Sequence, residues 1–259
     1  MDFAAYIDQW ESLYLSFGGS APAPAPLRSV LAAVPKRILI IPPHPDDECL
    51  MAGLALRARE EAGSEVLVLS FGYGSLESRR KERRREQDEA LRVLGFDRFE
   101  PQGASLAGDP SGLSHGQILS ALEAVNPDAV IIPHGEDFHP THMRCSKAAR
   151  SAAWQHVENT GNPLVLYETE YWQPMLHPNL LLPLPSTVVK RMGAALACHS
   201  GEISRNPYHL TLPAWLMDQE RRGSERVYGP GTRPAQSSIF SQLYRCTPVS
   251  NGLTSEASS

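Results

Sequence analysis

The chain has 259 residues, 42% apolar and 20% charged, enough to bury a full-sized core without disulfide or metal staples, and this mix excludes collagen, coiled coil and wholesale disorder. Its 24 basic and 29 acidic residues leave a formal net charge of −5, which argues against a nucleic-acid binder working through a broad basic field. Cys49, Cys145, Cys198 and Cys246 form no CxxC pair and read as reduced thiols of a cytoplasmic protein. No run approaches the ~20 apolar residues of a membrane span, and the acidic first residues carry no export signal.

In chain order, residues 3–16 place Phe3, Tyr6, Ile7, Trp10, Leu13 and Tyr14 at helical spacing, which predicts an amphipathic helix. The GGSAPAPAP stretch, 18–26, predicts an extended linker. RILIIP (37–42) is an apolar run suited to a strand buried on both faces. A helix over 48–62 ends at Gly63, a strand covers 65–71, and a charged helix over 77–94 ends at Gly95. A short strand is expected at 97–100, a helix at 115–125, a strand at 128–133, a helix at 142–157 and a strand at 164–168. Helices at 186–198 and near 213–222 complete the series. Alternating strands and helices predict parallel βαβ units in an α/β, Rossmann-like three-layer α/β/α fold around a mostly parallel twisted sheet. Three segments are expected: 1–36 as helix and Pro/Ala linker, 37–245 as the main domain and 246–259 as a flexible tail.

Two loops carry the chemistry. IIPPHPDDE (40–48) follows the first strand, and HGEDFHPTH (134–142) follows the strand at 128–133. Ligands of open α/β sheets bind beyond the carboxyl ends of strands where the strand order reverses. If these two strands flank that point, one crevice receives His44, Asp46, Asp47, Asp137, His139 and His142. Two histidines and a carboxylate with an open fourth position suit a catalytic zinc. His44 and Asp47, three apart in a tight turn, can point at one ion, with His142 as third ligand. Asp46 lies between them and is left free to accept a proton. His139 is placed to face a substrate.

HPDDE paired with HPTH resembles the PIG-L/LmbE-like family of zinc-dependent N-deacetylases. The resemblance extends to Arg83, Glu86 and Leu94-Gly95, to NPDAVIIPHGED (126–137), and to the region from Lys190 through His199-Ser200. Gly201 and Glu202 depart from the family's Ser-Gln ending there. The match covers roughly 37–200 and implies one zinc per subunit on His44, Asp47 and His142, a donor set that also admits iron(II). It implies Asp46 as general base, His139 as second catalytic histidine and Arg83 as a substrate contact. It also brings His199 forward as a pocket residue, with a core histidine the equal alternative. The implied substrate is an N-acetylated sugar conjugate, handled with no nucleic acid, by a chain that relatives suggest is a homo-oligomer. Asp137 is expected to orient His139.

The plainer readings are these. The HPDD turn could simply cap the following helix. His134 and His115 read as surface or structural. Cys49 and Cys145 could ligate zinc, but inside helices they read first as buried thiols. The ESRRKERRRE run (77–86) interleaves acids with bases at i,i+3 and i,i+4 and reads as a solvated face rather than a phosphate patch. Phe71, Tyr73, Tyr171 and Trp172 could stack on a sugar but are more often core. Two functions compete with the deacetylase: a metal- or sugar-binding module without turnover, and a metal phosphoesterase. The phosphoesterase often needs two metals, and the chain supplies convincing ligands for one.

Overall fold

The computed structural model describes residues 3–20, 23–101, 112–232 and 238–251. Among them, seven strands form one sheet: β1 (Arg37–Ile40), β2 (Glu65–Val68), β3 (Asp97–Arg98), β4 (Ala129–Pro133), β5 (Leu164–Thr169), β6 (Leu180–Leu184) and β7 (Phe240–Val249). Their spatial order is β3-β2-β1-β4-β5-β7-β6. The first five are parallel; β7 runs antiparallel to β5, and β6 antiparallel to β7. The sheet is therefore mixed and mostly parallel, as the alternation predicts.

Alternate side chains of the central strands feed two cores, as a period of two demands. Ile38, Ile40, Ala129 and Ile131 join one core with residues from helices α1 (Phe3–Ser16), α4 (Ala52–Ala62), α5 (Glu77–Leu94), α8 (Ser186–Leu196) and α10 (Tyr208–Tyr228), which are numbered in chain order with the short α2 (Leu27–Val30), α3 (Asp47–Leu50) and α9 (Ser200–Ile203). Leu39, Ile41, Val130 and Ile132 face the other core, built with α6 (His115–Val125) and α7 (Pro140–Thr160). The result is three layers. Gly63 and Gly95 end α4 and α5 in the left-handed region, φ 70° and 73°, where glycine carries no Cβ penalty.

Three features differ from the sequence reading. The edge strand β6 contains Pro183, which argues against a strand; an edge position tolerates it, because its missing N–H faces no neighbour. Strand β7 runs to Val249, paired with Leu164, so the first four residues of the expected tail belong to the sheet; 252–259 lie outside the described residues. Helix α10 starts at Tyr208, with Pro213 inside it; a proline reads more readily as a helix start than as its second turn.

The N-terminal helix packs on its own chain. Phe3 packs against Gly193 of α8, where an added Cβ would sit 1.7 Å from a ring carbon. Lys190 pairs with Asp8 at 2.5 Å, and the Tyr6 hydroxyl donates to the Leu210 carbonyl at 2.6 Å. The buried Arg57 guanidinium donates to the carbonyls of Ala25 and Pro183, which ties the end of the linker to β6. Gly193→Leu is expected to overpack this contact at a cost of about 2 kcal/mol, lowering the thermal midpoint by roughly 4–8 °C. A scanning-calorimetry midpoint equal to wild type would show that Phe3 does not depend on Gly193.

Candidate active site

Strands β2 and β3 continue from β1 on one side, whereas β4 and β5 lie on the other. The order reverses between β1 and β4, so their carboxyl ends open onto a crevice between diverging connections. Residues 41–46 lead from β1 into α3, and residues 134–139 lead from β4 into α7. Both signature loops thus overhang one place.

Donor atoms of His44, Asp47 and His142 lie within 4.8 Å of one another. Asp47 Oδ2 sits 3.2 Å from His44 Nδ1 and 3.6 Å from His142 Nε2. Donors bound to one zinc at about 2.0–2.2 Å stand about 3–3.6 Å apart in tetrahedral geometry, so the three fit a single divalent cation. The His44 backbone N–H donates to the same Asp47 oxygen at 2.9 Å, closing the turn. Asp137 Oδ2 takes the far nitrogen of His142, Nδ1, at 3.3 Å. That fixes the ring with Nε2 toward the cluster. Asp137 meets His139 only at its backbone N–H, 2.8 Å away, so the carboxylate expected to orient His139 orients His142 instead. The reason is register: His142 lies in the first turn of α7, above the loop that carries Asp137.

Asp46 stands outside that donor cluster. Its φ of 112° and ψ of −35° make it one of two non-glycine residues at positive φ among the described residues, a conformation costing of order 1–3 kcal/mol. Its side chain is buried. Burial, then the charges of Asp47 and Glu48, push its carboxyl well above the usual range, against the pull of Arg83. Asp47 goes the other way: burial works upward, but the charge of His142 and the bonds from His44 outweigh it and hold it low. Burial also works against His142, yet Asp47 and Asp137 raise its pKa. His139 is held below its ordinary value by burial and then by His142 and His44. Its ring lies 4.7 Å from that of His142 and 5.2 Å from that of His44.

The remaining expectations divide. Arg83 reaches the region, since its charge acts on Asp46, but its guanidinium is spent on Glu202 Oε1 at 2.5 Å and the Tyr73 carbonyl at 3.3 Å. His199 does not line the crevice: it is fully buried, with Nε2 2.8 Å from Glu48 Oε1. Its place as a substrate contact is corrected on that ground. Cys49 and Cys145 are fully buried, burial raises both thiols, and neither joins His44, Asp47 and His142. His134 is buried on the Gln173 carbonyl. The charged helix α5 forms ion pairs with Arg79 on Glu82 and Arg85 on Glu89, the solvated face its spacing predicts.

Phe71, Tyr73 and Tyr171 are buried. Tyr171 meets the His142 ring edge-on at 4.7 Å and donates to the Asp47 carbonyl at 3.5 Å, closing the side of the ligand cluster. Trp172 is 48% exposed and packs on Tyr208 with ring centroids 5.4 Å apart. Sequence reasoning missed Tyr208, which lies on the distant α10, and Glu202, at the position where the chain departs from the family ending. Glu86 accepts from Ser200 Oγ and the Gly201 N–H at 2.7 and 2.9 Å, which joins the two outlying stretches of the resemblance. Their co-occurrence was the available signal.

Comparison with known proteins agrees with this geometry. Residues 39–153 match the family model PIG-L, described as GlcNAc-PI de-N-acetylase. Among curated proteins, none matches the chain by sequence. A conserved protein of Thermus thermophilus is 22% identical, with 87% of this chain and 99% of that one covered and a TM-score of 0.60. The 4-carboxy-2-hydroxymuconate hydratase of Pseudomonas putida is 19% identical over 85% and 100%, TM-score 0.61. The N,N'-diacetylchitobiose deacetylase of Pyrococcus horikoshii is 19% identical over 83% and 84%, TM-score 0.58. These likenesses are of fold. The family match spans the stretch from β1 into α7 that builds the crevice.

Proposed function

We propose that the chain is a metal-dependent hydrolase, a zinc N-deacetylase acting on the acetamide of an N-acetylated sugar conjugate, with Asp46 as general base. The observation that carries this reading is the division within one turn: the donors of His44 and Asp47 converge with His142, while Asp46 between them, at positive φ, stands outside that cluster. A ligand set alone serves a binding module; a buried, unliganded carboxylate beside it serves proton transfer.

His44, Asp47 and His142 hold the cation, and iron(II) suits the same donors. When bound, it polarises the acetyl carbonyl and lowers the pKa of water from 15.7 toward ~7. Asp46 takes the proton of the attacking water. The same carboxyl then hands that proton to the departing amine. His139, whose ring packs against those of His44 and His142, offers an N–H to the oxyanion as charge develops. Asp137 keeps His142 in register. Tyr171 excludes water from the flank of the cluster. Four free cysteines among the described residues fit a reducing, cytoplasmic setting.

The exposed Trp172, tilted against Tyr208 and next in the chain to Tyr171, suits the apolar face of a sugar ring at the crevice mouth. Trp172→Ala is expected to raise KM about tenfold, the effect of losing ~1.4 kcal/mol of stacking, with kcat little changed. Steady-state kinetics on the best amide substrate check it; an unaltered KM removes Trp172 from the substrate path.

The reading itself is tested by acetate release from a panel of N-acetyl sugars by zinc-loaded protein. Release supports it. Tight binding of one zinc with no acetate from any amide favours the binding module, and phosphate release from aryl phosphates favours the phosphoesterase.

A further inference from the structure

Asp46 stands beside Asp47 and is itself a good zinc ligand. Something must keep it off the cation. Its N–H donates to Glu48 Oε2 at 3.0 Å, and this bond closes the turn in which Asp46 takes its positive φ. The same oxygen accepts from Gln87 Nε2 of α5 at 3.1 Å. The other oxygen, Oε1, lies 2.8 Å from His199 Nε2, at the start of α9. Glu48, Gln87 and His199 are all fully buried. Gln87 is fixed in turn, its Oε1 accepting from Ser70 Oγ and Arg98 Nη1, both at 2.8 Å. A carboxylate buried this deeply is tolerated only when its lone pairs meet donors, and here each donor comes from a separate element.

We infer that Glu48, anchored by His199 and Gln87, is a positioning residue that locks the Asp46 turn and so withholds the Asp46 carboxylate from the metal. Cut that anchor, and the turn relaxes toward ordinary backbone, where a carboxylate next to Asp47 is free to swing onto the cation. The kinetic consequence rests on the deacetylase reading; the metal-coordination consequence does not. The rival use of these side chains is a second metal site, since donors of Glu48, Cys49 and His199 also lie within 4.8 Å of one another.

The test compares full-length wild type, Glu48→Ala, Glu48→Gln and Glu48→Ala/Asp46→Asn, each loaded with cobalt(II). Visible absorption reports the coordination, and metal content reports stoichiometry. The expected result is one cobalt per chain, an altered spectrum for Glu48→Ala, and return of the wild-type spectrum when Asp46→Asn is added. Glu48→Gln keeps an acceptor for the Asp46 N–H and is expected to resemble wild type. With acetate release as a second readout, Glu48→Ala is expected to lose about 100-fold in kcat with KM within about threefold, as for a lost group that acts only in the transition state. If Glu48→Ala fails to fold, Gln87→Met, which removes one donor and keeps the volume, is expected to shift the spectrum in the same direction. A spectrum unchanged in the folded variant overturns the inference. So does a change that survives Asp46→Asn, or binding of two metals per chain that falls to one in Glu48→Ala. Wild type that releases no acetate while these spectral shifts occur overturns the deacetylase reading and leaves the inference standing.

Discussion

Asp46→Asn is expected to lower acetate release by about 10²–10⁴-fold, the usual contribution of a positioned base, while zinc content stays at one per chain. The substitution keeps shape and the backbone N–H bond to Glu48, and it removes only the ability to take a proton. It also removes a buried acid whose pKa burial and two neighbouring carboxylates have raised, so the folded protein should not be destabilised. Kinetics with metal analysis on the same samples decide the matter. Turnover within a few-fold of wild type would reassign the base, with His139 the next group in reach. Loss of zinc along with activity would make Asp46 a ligand instead.

Asp137→Ala is expected to weaken metal binding by about 10–100-fold, the cost of removing the partner of a ligating histidine, and His142→Ala to weaken it further by deleting the donor itself. The asymmetry follows from the contacts: Asp137 touches the metal site only through His142 Nδ1, and its second oxygen holds a backbone N–H of the same loop. Competition with a chromophoric chelator measures both. Equal affinity of Asp137→Ala and wild type would show that packing of α7 alone orients the ring. The same assay carries a pH dependence. Although burial works to lower it, the His142 pKa is raised by Asp47 and Asp137 above its ordinary 6.5. Below that raised value a proton occupies the ring and competes with the metal; above it the neutral ring is available. Affinity should therefore fall as pH drops through that value, and the dependence should weaken in Asp137→Ala, where one source of the upward shift is gone.

Much of this was readable in the chain. The parallel strands announce themselves as short apolar runs, because strands buried on both faces need no alternation. Helix ends at Gly63 and Gly95 are local events, fixed by residues that accept positive φ. The nearness of His44 and Asp47 follows from spacing within one turn, and the signature pair HPDDE and HPTH pointed to His142, whose donor lies within 4.8 Å of theirs. What failed was long-range. β6 was hidden by Pro183, whose tolerance depends on lying at a sheet edge, and edge status is a property of the assembled sheet. β7 gained its length by pairing with both β5 and β6, partners at least 50 residues away in the chain.

The site divides along the same line. By itself, the sequence set His44, Asp46 and Asp47 together in one tight turn, because that placement is made within four consecutive residues. Tertiary structure alone decided that Asp137 serves His142 rather than His139, that Arg83 is drawn to Glu202, that Tyr208 flanks Trp172, and that His199 lies behind the site on Glu48 rather than within it. Each of those pairings joins groups through burial and direction. A linear spacing carries neither, since which face of a helix meets which loop is settled only when the two cores close around the sheet.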